Sequence, residues 1–156
     1  MTEDAIRIDT FRDAHAADFA RLNRDWLVGF ELYEPIDGEY LDDPRGHFLD
    51  HGGEIFIALR GDAVVGTCAV LPSGPEVCEL SKLTVAPSAR GHGLGRRLTE
   101  TAIEHARKLG AKRLVLSSNS RLKTAIALYE QMGFRHVAPG AGISYENADT
   151  FMELLL

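Results

Sequence analysis

The sequence predicts a mixed α/β fold, with antiparallel strands in its first half and a helix-bridged parallel pair in its second. Three observations carry this. Apolar runs at 55–59, 63–71 and 77–85 are separated only by Gly61-Asp62 and by a turn at 72–75, which is hairpin spacing. Leu94, Leu98, Ala102, His105 and Leu109 then recur at helical intervals until Gly110. That helix lies between the strand ending at Val85 and the next one, 113–117, so the two strands are expected to be parallel neighbours.

The remaining elements follow in order. Ile6 and Ile8 alternate with polar residues and predict a first strand. Asp13 is expected to cap a helix whose apolar positions are Phe19, Leu22, Trp26 and Phe30. Pro35, Asp37-Gly38 and Pro44 break the chain into a loop and a short helix ending at Gly52-Gly53. Leu122, Ala125, Ile126, Tyr129 and Met132 form a further helical stripe closed by Gly133, and 134–138 and 150–156 read as the last strands. The expected architecture is a central mixed sheet flanked by about four helices. No repeat or linker divides it, so 1–156 reads as a single domain.

Composition narrows the function. Of 156 residues, 45% are apolar and 26% charged, a soluble globular balance without an apolar run that would span a membrane. Residues 1–9 lack the basic start and apolar stretch of a signal peptide, which predicts a cytoplasmic protein with Cys68 and Cys78 as free thiols. A net charge of −6 argues against nucleic-acid binding. Arg90, Arg96 and Arg97 nevertheless cluster as a local anion spot. The acidic stretch 31–43 reads either as a solvated loop or as a rim attracting a cationic substrate. His47, His51 and His105 show no ligand spacing with the cysteines, so no metal is expected.

Gly91, Gly93 and Gly95 alternate where a loop enters a helix. Backbone N–H groups there can approach an anion closely, and the free first N–H groups and dipole of the helix favour one. The dinucleotide fingerprint fails, because its sixth place is Arg96. The Walker loop also fails, because Arg96-Arg97-Leu98 stands where Gly-Lys-Ser/Thr is needed.

Arg90, Gly93 and Gly95 do match Gln/Arg-x-x-Gly-x-Gly/Ala, and with Leu83-Thr84-Val85-Ala86-Pro87 before them they resemble the acetyl-CoA motif of the GCN5-related N-acetyltransferase (GNAT) superfamily. A second block, from Ala125 through Tyr129 to Gly133-Phe134, is similar to that family's later helix and its Tyr-x-x-x-Gly-Phe ending. The resemblance implies transfer of an acetyl group from acetyl-CoA to a primary amine by direct attack within a ternary complex. Backbone N–H groups of Arg90, Gly91, His92, Gly93, Leu94, Gly95 and Arg96 would take the pyrophosphate. The backbone of Leu83, Thr84 and Val85 would face pantetheine and the acetyl carbonyl, with an N–H near Val85 as oxyanion donor.

Tyr129 stands where the family often has a general acid. A phenol of ordinary pKa about 10 can protonate or hydrogen-bond a departing sulfur, whose thiol pKa is about 8.5, without ionising beforehand. Taken from the helix alone, Tyr129 reads as the end of a core stripe. Glu79 matches the base glutamate of histone-acetyltransferase-like members, acting directly or through water on an amine that is otherwise protonated. Leu122 replaces an asparagine that touches pantetheine in many members, leaving Asn119 as a substitute contact or a helix cap.

The acceptor is a small-molecule or protein amine, with Trp26, Phe30, Tyr33 and Tyr40 offering an aromatic wall; for Trp26 and Phe30 the alternative is core packing. The contrasting function is a non-catalytic acyl-CoA-binding or sensor domain. The apolar strand 151–156 suits a homodimer contact or the core.

Overall fold

The Gly61-Asp62 turn joins β2 (Glu54–Arg60) to β3 (Ala63–Gly74), and a second turn leads into β4 (Val77–Val85), giving the antiparallel meander that the apolar spacing predicts. The computed structural model describes residues 5–140 and 142–156. Residues 1–4, on which part of the signal-peptide and single-domain readings rest, lie outside the described residues, as does Ala141. β1 (Ile6–Thr10) pairs with β2, and β5 (Arg113–Ser118) runs parallel to β4. β7 (Thr150–Leu155) lies antiparallel between β5 and β6 (Arg135–His136), so the sheet order is β1-β2-β3-β4-β5-β7-β6.

Among the described residues the helices are α1 (Ala16–Gly29), α2 (Pro35–Asp42), α3 (Pro44–His47), α4 (Leu94–Lys108) and α5 (Lys123–Gln131). This is one more than expected. Pro35 and Pro44 each start a helix at its first position, where a missing N–H costs nothing, so the expected loop is itself helical. Asp13 does not cap α1. It sits inside a 3₁₀ turn and accepts from Arg45 Nε at 2.8 Å, while His15 precedes α1 without a side-chain cap. The strand expected at 134–138 shrinks to β6.

Adjacent residues of β3 define the two faces of the sheet. Gly66 leaves room for Leu98 of α4, while Thr67 contacts Asn23 of α1. Leu128 of α5 packs against Gly95 of α4, so α4 and α5 share one face and α1 the other. Phe19 and Phe48 meet edge to face under α1, and Leu98, Ala102 and Ala106 are fully buried under α4. Met152 of β7 is fully buried too, so the apolar C-terminal strand serves the core; Leu155 remains exposed.

The site depends on how β4 leaves its neighbour. β4 pairs with β5 only at Val77, Cys78 and Glu79, and then the strands part. Just beyond, β4 carries one extra residue against β3: Thr67 faces Thr84 while Ala69 faces Ser81. Lys82 takes the left-handed conformation this bulge requires, at φ 55°. Its carbonyl accepts from Thr67 Oγ1 at 2.7 Å. Asn23 ties the same spot to α1, donating to Thr67 Oγ1 at 3.0 Å and accepting from Thr84 Oγ1 at 2.7 Å. Lys82 Nζ reaches α2 and pairs with Asp37 at 2.8 Å, with the side chains 5% and 3% exposed.

Removing one partner of a buried ion pair leaves the other charge uncompensated. Asp37→Asn should therefore lower stability by about 3–5 kcal/mol, read from the urea midpoint. A loss below about 1 kcal/mol, the range of exposed pairs, would show that the pair does not support the fold.

Candidate active site

Two cavities open where β4 and β5 part. The larger has a volume of about 760 Å³ and lies between the first turns of α4 and α5. Neither helix has a side-chain cap: Gly93 precedes α4 and Leu122 precedes α5. Two sets of unpaired helical N–H groups are thus left at one cavity. Gly93 stands at φ 75°, a conformation strained for any side chain, and it turns the loop into the helix.

Among the described residues the cavity walls carry Arg90, Arg96, Arg121 and Lys123 and no acid, in a chain of net charge −6. Arg90 Nε donates to Val85 O at 3.1 Å, and Arg121 Nη1 donates to Phe30 O at 3.2 Å. Arg97 turns away and donates to Ile6 O at 2.9 Å. His92 is exposed, and its side chain is not part of the lining.

The smaller cavity, about 100 Å³, passes through the gap between the strands. Asn23, Glu34 and Asp37 reach it from one face of the sheet and Tyr129 from the other. Trp26, Leu83, Leu122 and Ala125 line both cavities, so the two join there. Ala86 N–H donates to Val65 O of β3 at 2.8 Å. Strand N–H groups alternate in direction, so the Val85 N–H points to the opposite edge, toward the junction. The Thr84 side chain is committed to Asn23, leaving only its backbone on that strand.

Tyr129 is buried, with its ring 5.5 Å from Phe134. Burial pushes its phenol well above the ordinary value, with the Cys68 thiol adding to the rise. Its hydroxyl has no hydrogen-bond partner among the described residues, so the group enters the smaller cavity neutral and able to donate. Cys68 and Cys78 are free and buried, and burial pushes Cys68 up to about 12, too high to serve as a nucleophile.

Glu79 is 1% exposed and lies outside the lining of both cavities. Burial raises its carboxyl to about 7; the Ile143 N–H and the Lys82 charge oppose the rise. Both its oxygens accept from the Ile143 N–H, at 2.9 and 3.0 Å. Gly142, at φ 118°, lies so close that a Cβ there would meet the carboxylate at 2.6 Å. Glu34 does the same for the next residues, accepting from Glu146 N at 2.7 Å and Asn147 N at 3.1 Å. Carboxylates thus hold the segment 142–149 over the smaller cavity, where Tyr145, Asn147 and Ala148 join its walls.

Asn119 helps fasten this segment, donating to Asn147 O at 2.6 Å and accepting from Arg121 N at 2.9 Å. Its polar atoms are therefore already engaged within the protein. It is not the α5 cap, a position held by Leu122. The acidic stretch 31–43 is neither a plain loop nor a plain rim. Glu34 and Asp37 are buried in the site, Asp42 pairs with Arg24, and Asp43 accepts from Gly46 N in α3. Of the four aromatic residues expected to form a wall, Trp26 and Phe30 reach the cavities. Tyr33 lies under Arg24, and Tyr40 packs on His47 and Phe48.

Sequence reasoning missed Arg121, Lys123 and Tyr145. For the first two a signal existed, because cations in the opening turn of a helix oppose its dipole and make sense beside an anion. Tyr145 lies in a stretch with no periodicity to mark it.

This geometry defines a class: a mixed-sheet protein whose parted parallel strands open a cation-lined cavity beside a smaller one. The chain belongs to the acetyltransferase (GNAT) family, whose pattern matches residues 12–134. It is 44% identical over 100 residues to the uncharacterised N-acetyltransferase YjgM of Escherichia coli, a match covering 62% of this chain and 60% of that protein. It is 31% identical over 126 residues to an uncharacterised N-acetyltransferase of Schizosaccharomyces pombe, covering 78% and 77%.

A GNAT-family acetyltransferase from Staphylococcus aureus superposes with a TM-score of 0.89 at 18% identity, covering 96% of this chain and 98% of that one. An acetyltransferase from Salmonella typhimurium, solved with acetyl-CoA, superposes with a TM-score of 0.71 at 21% identity, covering 96% and 93%. At these identities the structures establish the fold.

Because the Glu79 carboxyl titrates near 7 when folded and near the ordinary 4.5 when unfolded, the unfolded chain gives up this proton first as pH rises. Glu79 therefore lowers stability progressively between those two values. The stability of Glu79→Gln relative to wild type should rise by on the order of 2 kcal/mol between pH 5 and 7, measured by urea unfolding at each pH. A pH-independent difference would mean an ordinary carboxyl.

Proposed function

We propose that this protein is an acetyl-CoA-dependent N-acetyltransferase in which a primary amine attacks the thioester directly while both ligands are bound. The observation that carries this is the junction at Trp26, Leu83, Leu122 and Ala125, where a cationic, helix-ended cavity meets a small pocket containing carboxylates and a neutral tyrosine. The residues present fit acetyl-CoA: four cations and two uncapped helix ends suit its phosphates, and the mostly apolar strand edge suits pantetheine. When bound, acetyl-CoA supplies an activated acyl carbon and a thiolate leaving group.

The chain's own groups then have distinct tasks. The backbone from Arg90 to Arg96 and the first turn of α5, with Arg90, Arg96, Arg121 and Lys123, bind and orient the phosphates. The Val85 N–H donates to the carbonyl oxygen as negative charge builds there. As the amine nitrogen bonds to the acyl carbon and the carbon–sulfur bond breaks, the neutral Tyr129 hydroxyl donates a hydrogen bond to the sulfur, which departs as thiolate. Glu79, poised near neutrality, receives the amine's proton through water, since it does not itself reach the cavity. Holding both reactants at one junction supplies much of the rate gain.

Calorimetric titration with acetyl-CoA and thiol release over an amine panel test this reading together. Binding with release supports transfer, and tight binding without release on any amine leaves a sensor domain. Tyr129→Phe should lower kcat by about 10²-fold or more, the scale of positioned acid catalysis, while the acetyl-CoA Kd changes little. An equal kcat would remove Tyr129 from the reaction. In Glu79→Gln the fall in kcat/KM below pH 7 should flatten, because the group that protonates there is gone; an unaltered acidic limb would exclude Glu79.

A further inference from the structure

The proposed reaction leaves the acceptor unnamed, and the smaller cavity restricts it. Resting on that reading, we propose that the acceptor presents an unbranched aminoalkyl end with no carboxylate on the carbon bearing the nitrogen: an alkylamine, not an α-amino acid.

Size is the first argument. A volume of about 100 Å³ is that of a few heavy atoms. Leu27, Leu32, Leu80 and Leu116 supply apolar walls around it. A short methylene chain fits such a space.

Charge is the second. The ionisable groups in the lining are Glu34, Asp37, Lys82, Tyr129 and Tyr145. Burial keeps both tyrosines neutral. Among the described residues Lys82 is the one cation in the lining, 5% exposed, and held at 2.8 Å by Asp37 and at 3.3 Å by the Tyr145 hydroxyl. Glu34 is then left without a counter-charge, because its partners are the neutral backbone N–H groups of Glu146 and Asn147. Glu79, behind the wall, adds negative charge whenever it ionises. An ammonium entering here meets a formal surplus of one carboxylate. An α-carboxylate would meet the same surplus with no cation free to pair with it.

The contrast with the larger cavity is sharp. Four cations and no acid there accept anions, while the acceptor side has no place for one.

Matched pairs differing only by the carboxylate test this: ethylamine against alanine, and butylamine against norvaline. Saturated with acetyl-CoA, the protein should show kcat/KM higher by about tenfold or more for each alkylamine, a modest value for a like-charge clash in a buried site. The amino acid's less basic nitrogen works against this result, since more of it is unprotonated at neutral pH. Equal or better use of the amino acids would overturn the proposal.

Binding separates this from the transfer reading. Calorimetry on the protein saturated with CoA should detect butylamine and not norvaline whether or not any acetyl group moves, and the reverse order sinks the substrate class alone. Glu34→Gln should reduce the butylamine-to-norvaline preference and raise the butylamine KM, with the acetyl-CoA KM unchanged. If both acceptors weaken alike, Glu34 is structural and the charge argument fails. A lysine-containing peptide blocked at both ends carries the same aminobutyl end. Its use at the rate of butylamine would place the source in a protein side chain, and its rejection would place it in a free amine; both outcomes uphold the aminoalkyl chemistry.

Discussion

The parting of β4 from β5 is the constraint on which the rest of this structure depends. A continuous parallel pair would wall one face of the sheet off from the other. After Glu79 the ladder stops, and the extra residue at Lys82 turns β4 out of line with its neighbour. The turn needs a backbone conformation that lysine does not favour, so it must be over-determined by its surroundings. Thr67 holds the Lys82 carbonyl, Asn23 bridges Thr67 to Thr84, and Asp37 holds the Lys82 ammonium. Two helices and two strands thus meet one bulge through polar contacts that only work if the bulge is present.

What the gap permits is contact between groups from opposite faces. Tyr129 belongs to the α4–α5 side, and Glu34, Asp37 and Asn23 to the α1–α2 side, yet they line one cavity. The gap also leaves the Val85 N–H without a strand partner. Around it the charges are sorted. The cations gather at the helix ends of the larger cavity, while buried carboxylates surround the smaller one. A net-acidic chain thereby sets a cationic cavity and an acid-lined one side by side.

The same carboxylates shape the pocket as well as charge it. Glu79 and Glu34 take the backbone N–H groups of Ile143, Glu146 and Asn147, replacing the ladder that an irregular segment lacks. Asn119 and Asp149 complete the fastening from the β5 end. Bonding of this kind makes the wall of the smaller cavity and the protonation of Glu79 parts of one arrangement.

Strand and helix periods, the hairpin turns and the crossover were legible in the sequence, because alternation, helical spacing and Gly-Asp turns are local physics. So was the entry of the glycine loop into a helix, since the glycines at 91, 93 and 95 act through their own backbone. The second helix end at Arg121 and Lys123 was half legible, as a charge pattern against the dipole. Other features were not. Asp13 is drawn off its expected cap by Arg45, far along the chain. The acids of 31–43 looked like surface residues until Lys82 and the N–H groups of 146 and 147 buried them. Residues 142–149 carry no period at all. By itself, then, the sequence determined the elements and the place of the glycine loop. Only the tertiary structure decided where β4 and β5 separate and which carboxylates are buried there, because both depend on partners that share no local stretch of chain.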